Sequence, residues 1–362
     1  MFDTKQLTIE AVDLLKQLIA IPRVSRDETA AADFLARYME ECGFRVQRDA
    51  NNLWIVAEGY DNARPTLLLN AHIDTVKPVA AWRRDPFTPT LEDGRLYGLG
   101  ANDDGASLVS LLQTFRFLAD REQSYNLIFL ASAEEEVSGR DGMERVVAQL
   151  PPIAVSVVGE PTGMQPAIAE KGLMVLDVTA KGRSGHAARE EGVNAIYEAL
   201  SDIEWFRTYR FPKESPLLGP VKMTVTIINA GTQHNVVPDR CTFTVDVRSN
   251  ECYTNSEIYD IVAVSVRSEV SVRSFRLGSS RIDPSHPLVR RALSLGPTVD
   301  GLARSTFGSP TLSDQALMPW PSLKMGPGQS ARSHTADEYI KICEIEGAIA
   351  DYIALLDGLV IS

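Results

Sequence analysis

Hydrophobic and polar positions follow two different rhythms along this chain. Up to about Gly172, short continuous apolar runs alternate with stretches of helical spacing. Residues 66–70, 126–131 and 155–158 lack the polar alternation of a half-exposed strand, as strands covered on both faces do. Residues 106–118 repeat apolar positions at helical spacing, and Leu14, Leu15, Leu18 and Ile19 do the same near the start. Strands alternating with helices predict an α/β domain on a mostly parallel sheet, with helices covering it.

From about Leu173 to Leu277 the rhythm changes. The pattern predicts strand 174–179, helix 193–206, strand 221–228, strand 241–247, helix 256–266 and strand 272–276. That βαββαβ order is the ferredoxin-like arrangement. The expected organisation is a sheet domain from residues 1–172 and 280–362, interrupted by a compact insertion over 173–279. A helix near 345–356 closes the first domain. A length of 362 residues suits two domains, because one hydrophobic core stops growing below that size.

Composition narrows the function classes. The hydrophobic fraction is 44%, the charged fraction 23% and the formal net charge −12. There is no long basic run, which disfavours a nucleic-acid partner. No apolar stretch approaches the roughly 20 residues that span a bilayer. The first residues lack the charged-then-apolar pattern of a secretory signal. Cys42, Cys241, Cys252 and Cys343 form no Cys-x-x-Cys pair, so they read as reduced cysteines of a cytoplasmic protein.

The chemistry lies at the predicted strand ends. His72 and Asp74 follow the first run, Glu134, Glu135 and Glu136 the second, and Glu160 the third. In open α/β sheets the ligand crevice lies outside the carboxyl ends of the strands, so three strands deliver donors to one edge. Asp103 follows Gly98-Leu99-Gly100 and precedes a helix; it is either an N-cap or a ligand, whereas Asp104 reads better as the N-cap. His72 alone could be a structural histidine, but Asp74 is placed to accept the distal ring N–H and orient a metal-bound imidazole.

The Glu134–Glu136 run is either a solvated acidic loop or a group neutralised by cations, one residue ligating while a neighbour stays free as a base. His334, in a glycine-rich loop, could cap the next helix or ligate. His186 has no nearby carboxylate and suits a hydrogen bond to substrate; His234 and His286 read as structural. His72, Asp103, Glu136, Glu160 and His334 together are hard and borderline donors without thiolate, which suits two adjacent divalent cations. Glu135 would be the neighbouring base.

These segments resemble the M20 family of co-catalytic zinc aminoacyl hydrolases over nearly the whole chain. The motifs are His72-Ile73-Asp74, Gly98-x-Gly-x-x-Asp103, Glu134-Glu135-Glu136-Val137-Ser138-Gly139, Gly159-Glu160-Pro161-Thr162, Gly185-His186-Ala187-Ala188, Asn235-Val236-Val237-Pro238-Asp239 and Ser333-His334-Thr335-Ala336-Asp337-Glu338. The resemblance implies that Asp103 bridges two zinc ions, with His72 and Glu160 completing one site and Glu136 and His334 the other. It implies Glu135 as general base, supported by Asp74, and His186 as an oxyanion donor from a lid domain that also forms a homodimer. Asn235 and Arg248 match lid residues that contact substrate. Cobalt or manganese would suit the same ligands.

One departure is plain: many relatives read Asp-x-Lys-Gly where this chain has Asp103-Asp104-Gly105-Ala106. That variant looks most like an arginine-biosynthesis branch acting on N-acetylornithine or on N-acetyl- or N-succinyl-citrulline. The expected activity is hydrolysis of an N-acyl amide bond. The alternatives are a dipeptidase or carboxypeptidase of the same family, or an enzyme like succinyl-diaminopimelate desuccinylase.

Overall fold

The computed structural model describes residues 3–189 and 191–361. The chain divides into two compact units. The first comprises Met1–Ile168, Arg281–Phe307 and Ser313–Ser362; the second comprises Ala169–Ser280 and Gly308–Leu312.

The sheet of the first unit is built around four parallel strands in the order Asn126–Ser132, Thr66–His72, Val155–Val158 and Ser322–Lys324. Asn52–Val56 adds antiparallel on one side and Ala167–Glu170 on the other. Every residue of Thr66–His72, Asn126–Ser132 and Val155–Val158 is buried, which is why their sequences carry no polar alternation. Leu68, Ile128, Leu130 and Val158 pack against Met143 and Val146 on one face. The alternate residue Phe129 meets Phe115 of the helix Ala106–Ala119, ring centroids 6.4 Å apart, on the other. That helix packs with Thr4–Ile19 and Ile342–Leu356. Each leucine buried this fully contributes about 1.5–3 kcal/mol, so the central strands are held firmly where they end.

Register fixes those ends. His72 lies opposite Ser132, and Asn70 opposite Val158. The three strands therefore stop at one edge, and the next residues of each enter the same space.

The second unit has the order strand Gly172–Lys181, helix Ala195–Thr208, strand Lys222–Ala230, strand Arg240–Ser249, helix Asn255–Ser265, strand Glu269–Val272. Its main sheet is antiparallel throughout, with Gly172–Lys181 between Arg240–Ser249 and Glu269–Val272 and with Lys222–Ala230 at an edge. Burial alternates strictly along Gly172–Lys181, so one face packs under the helices around Leu176, Val178, Phe243, Val245 and Ile258. The last strand lies earlier than its sequence suggests, over Glu269–Val272 rather than 272–276. Val270 and Val272 pack on the core, while Arg273 turns to Asp177 at 2.8 Å.

Candidate active site

His72 is the last residue of its strand and is buried. Its Nε2 lies 3.2 Å from Asp103 Oδ1 and 3.9 Å from Glu135 Oε2. Its Nδ1 lies 3.0 Å from the Asp74 main-chain oxygen and 3.5 Å from the Asp74 carboxylate. The ring is thus oriented from behind, through the backbone of Asp74 more closely than through its carboxylate. That carboxylate has other partners: it accepts the Ser25 hydroxyl at 2.6 Å and the main-chain N–H groups of Glu135 and Glu136 at 3.1 and 3.3 Å. Asp74 therefore ties the end of one strand to the loop following the next.

That loop is a single tight turn, Glu135–Val137, flanked by Glu134 and Ser138 with positive φ of 53° and 44°. Non-glycine residues there carry strain that the surroundings must offset. The turn aims Glu135 and Glu136 back over the strand ends. Glu136 Oε2 lies 2.9 Å from His334 Nε2, and the same nitrogen lies 3.7 Å from Asp103 Oδ2. The two Asp103 oxygens thus face His72 and His334 separately, the placement a bridging carboxylate would need.

The donors fall into two groups whose ligand atoms lie within 4.8 Å of one another: His72, Asp103 and Glu136, and His72, Glu135 and Glu160. His334 adjoins the first group through Glu136. Glu135 sits where it could either ligate or act as a base, so its role rests on chemistry rather than distance. Glu136 Oε1 is buried and has no hydrogen-bond partner among the described residues. Oxygen and imidazole donors converging with an orphaned carboxylate oxygen fit a divalent pair.

Electrostatics describe the same crowding. Burial raises the pKa of Glu135 well above the ordinary carboxylate value, with Glu160, Asp314 and Glu136 adding to the effect. Burial opposes a charged His72, yet its bonds to Asp103 and Asp74 lift it well above the usual imidazole value. His334 is pushed up to about 9, chiefly by its hydrogen bond to Glu136. A raised histidine holds its proton below that value, and a metal ligand must shed it. Metal uptake should therefore release protons at pH 7.5, and affinity should climb with pH towards about 9. Calorimetric titration in two buffers of different ionisation enthalpy measures this, and an absence of proton release would contradict it.

Several site residues were not read from the sequence as such. Asp104 does not cap the following helix, whose N-cap position is Gly105 without a side-chain bond. Its carboxylate is buried beneath the site, accepts the His72 main-chain N–H at 3.3 Å, and is raised by burial. Arg23 is buried and donates to the carbonyls of Ile73 and Gly100 at 2.5 and 2.9 Å. Gly100 has φ 70°, and a Cβ there would collide with Thr75 and lie 2.6 Å from Arg23, so only glycine passes between them. Lys324 Nζ lies 3.7 Å from Glu160 Oε2, a buried cation beside a proposed ligand. Glu338 accepts three main-chain N–H groups around Asp103, and burial lifts it to about 7. His334 caps no helix: the strand Tyr339–Lys341 intervenes, and the last helix begins at Ile342.

His186, Asn235 and Arg248 lie in the second unit. The short strand Gly185–His186 pairs with Val236–Val237, with His186 opposite Val236 and the Ala187 N–H donating to the Asn235 carbonyl at 3.0 Å. His186 is exposed, and its Nδ1 accepts the Ala188 N–H at 3.1 Å, so a neutral ring carries its proton on Nε2. Arg248 is paired with Asp246 through two bonds of 2.9 and 3.2 Å. His286 caps the helix Pro287–Ser294.

The profile of Peptidase family M20/M25/M40 matches residues 68–360, and the chain belongs to that family. It is 26% identical to an acetylornithine deacetylase of Proteus mirabilis, over 92% of this chain and 93% of that one. It is 25% identical to a succinyl-diaminopimelate desuccinylase of Anaplasma marginale, over 93% of each. Among solved structures, a tripeptidase from Staphylococcus aureus superposes with a TM-score of 0.76 at 20% identity, covering 98% of both chains. A dinuclear metal-binding M20 peptidase from Bacillus subtilis superposes with a TM-score of 0.72 at 16% identity, covering 98% of this chain and 100% of that one. The chain is thus a hydrolase of the M20 class with an α/β fold on a mostly parallel sheet. Among the described residues, no helix is long and apolar enough to cross a membrane.

Proposed function

We propose that this M20 hydrolase removes the acyl group from an N-acyl amino acid of arginine biosynthesis, N-acetylornithine or an N-acetyl- or N-succinyl-citrulline. The observation that carries this reading is the convergence of His72, Asp103, Glu136 and Glu160 on one sheet edge beside a half-buried Glu135 whose pKa is raised well above the ordinary carboxylate value. His72 and Glu160 would hold one zinc ion, Glu136 and His334 the other, with Asp103 between them. Bound divalent cations supply Lewis acidity, polarising the acyl carbonyl and easing deprotonation of water.

Glu135 takes the proton from the attacking water and returns it to the departing amine. Desolvation raises the pKa of Glu135, and bound cations would lower it again, which suits a group that both takes up and returns a proton. Asp74 holds the Glu135 main chain and the His72 ring in one arrangement. In this reading the second unit is a lid. His186 would supply its Nε2–H to the oxyanion of the tetrahedral intermediate, and Asn235 and Arg248 would contact substrate, the arginine suiting a carboxylate. The second unit also exposes Tyr197, Leu200, Ile227 and Ile228, which supports a homodimer formed through it.

A desuccinylase or peptidase specificity is the second reading, favoured by the similar identity to the desuccinylase relative. A panel of N-acetylornithine, N-acetylcitrulline, N-succinylcitrulline, N-succinyl-diaminopimelate and dipeptides, run on zinc-reconstituted enzyme, separates the two. The proposal expects one of the first three to exceed every other substrate in kcat/KM by about tenfold or more, a difference of roughly 1.4 kcal/mol in transition-state stabilisation. A dipeptide or N-succinyl-diaminopimelate leading the panel would overturn it.

A further inference from the structure

Glu338 has no place in the chemistry above, yet it occupies the space directly behind Asp103. Its Oε1 accepts the main-chain N–H groups of Asn102 and Asp103 at 2.8 and 2.9 Å, and its Oε2 accepts that of Gly100 at 3.1 Å. The side chain is 2% exposed. Both oxygens accept main-chain amides, and Glu338 belongs to neither group of converging donors. The Gly100–Asp103 backbone is also held by Arg23, which donates to the Gly100 carbonyl at 2.9 Å.

Glu338 also sits on the segment that carries His334. That segment is tied to the Asp103 loop a second time, through the Asn102 side chain. Asn102 donates to the Gln329 carbonyl at 3.1 Å and to Ser333 Oγ at 3.2 Å, and accepts the Gln329 N–H at 3.0 Å. One stretch of chain therefore delivers a proposed ligand and, four residues on, the carboxylate that locks the loop bearing another.

We propose that Glu338 is a positioning residue for the metal pair: by gripping three consecutive-region amides it sets the Asp103 carboxylate between the two cation positions, touching neither cation nor substrate. The inference rests on the reading of Asp103 and His334 as ligands. Glu338→Gln keeps the size of the side chain but replaces one acceptor oxygen with an NH2 group, which would face a main-chain N–H. Groups that orient metal ligands in this way typically carry a 10–100-fold share of metal affinity.

The test is a cobalt(II) titration of full-length, metal-stripped wild type, Glu338→Gln, Asp103→Ala and His334→Ala, following calorimetric affinity and the visible absorption per bound cobalt, with the Tm of each metal-free protein alongside. Glu338→Gln is expected to weaken cobalt binding by about tenfold or more and to alter the absorption bands of the cobalt that remains bound. Affinity within about threefold of wild type with unchanged bands, whether or not the Tm falls, would overturn the positioning role. Should Glu338→Gln fail to fold, Glu338→Asp, which keeps both oxygens on a shorter stem, is read by the same criteria. If Asp103→Ala and His334→Ala bind cobalt as wild type does, the ligand reading itself fails; if they do not and Glu338→Gln does, only this inference fails.

Discussion

Glu135→Gln should lower kcat by roughly 10²–10⁴-fold while leaving the metal content intact. Glutamine keeps the shape of the side chain and its place in the turn, and the Asp74 bond to the main-chain N–H of residue 135 is unaffected. What disappears is the ability to accept a proton from water and pass it to the leaving amine. The assay is steady-state turnover on the preferred substrate of the panel, paired with elemental analysis of the same preparation. Wild-type turnover would remove Glu135 from the reaction. Loss of metal together with activity would make it a ligand, a role that its grouping with His72 and Glu160 makes geometrically open.

Asp103→Ala should have the larger effect on the metals. The two oxygens of Asp103 face different histidines, 3.2 Å from His72 and 3.7 Å from His334. Its removal should drop occupancy from two ions per chain to one or fewer after dialysis, with activity falling below that of Glu135→Gln. The neighbouring His72 would lose a bond that helps lift its pKa, so the variant ring should titrate lower in the metal-free protein, visible in the NMR shift of its ring protons. Two tightly held ions in the alanine variant would exclude a bridging role.

The parts of the fold legible in the sequence are those with long uniform signals. Thr66–His72, Asn126–Ser132 and Val155–Val158 announce themselves because burial on both faces removes polar residues. Ser322–Lys324, the fourth parallel strand, does not: it spans three residues, and one of them is the buried Lys324. The edge strand Gln47–Asp49, also three residues long, is too short to carry a readable period.

The site divides along similar lines. Donors with distinctive side chains at strand ends could be named from the sequence, because strand ends are where ligands gather. Glu338 and Arg23 carry no signal in the sequence, and Asp104 reads there only as an N-cap, because each acts through main-chain groups brought close only by folding. Arg248 is proposed from its residue type and its match to the family, and in the structure it is paired with Asp246.

The most direct measurement is a zinc-edge anomalous diffraction map of the zinc-reconstituted enzyme. Two peaks about 3.5–4 Å apart, one on each side of Asp103, with Glu135 bound to neither, is the predicted result. A single peak, or peaks away from His72 and His334, would contradict the account.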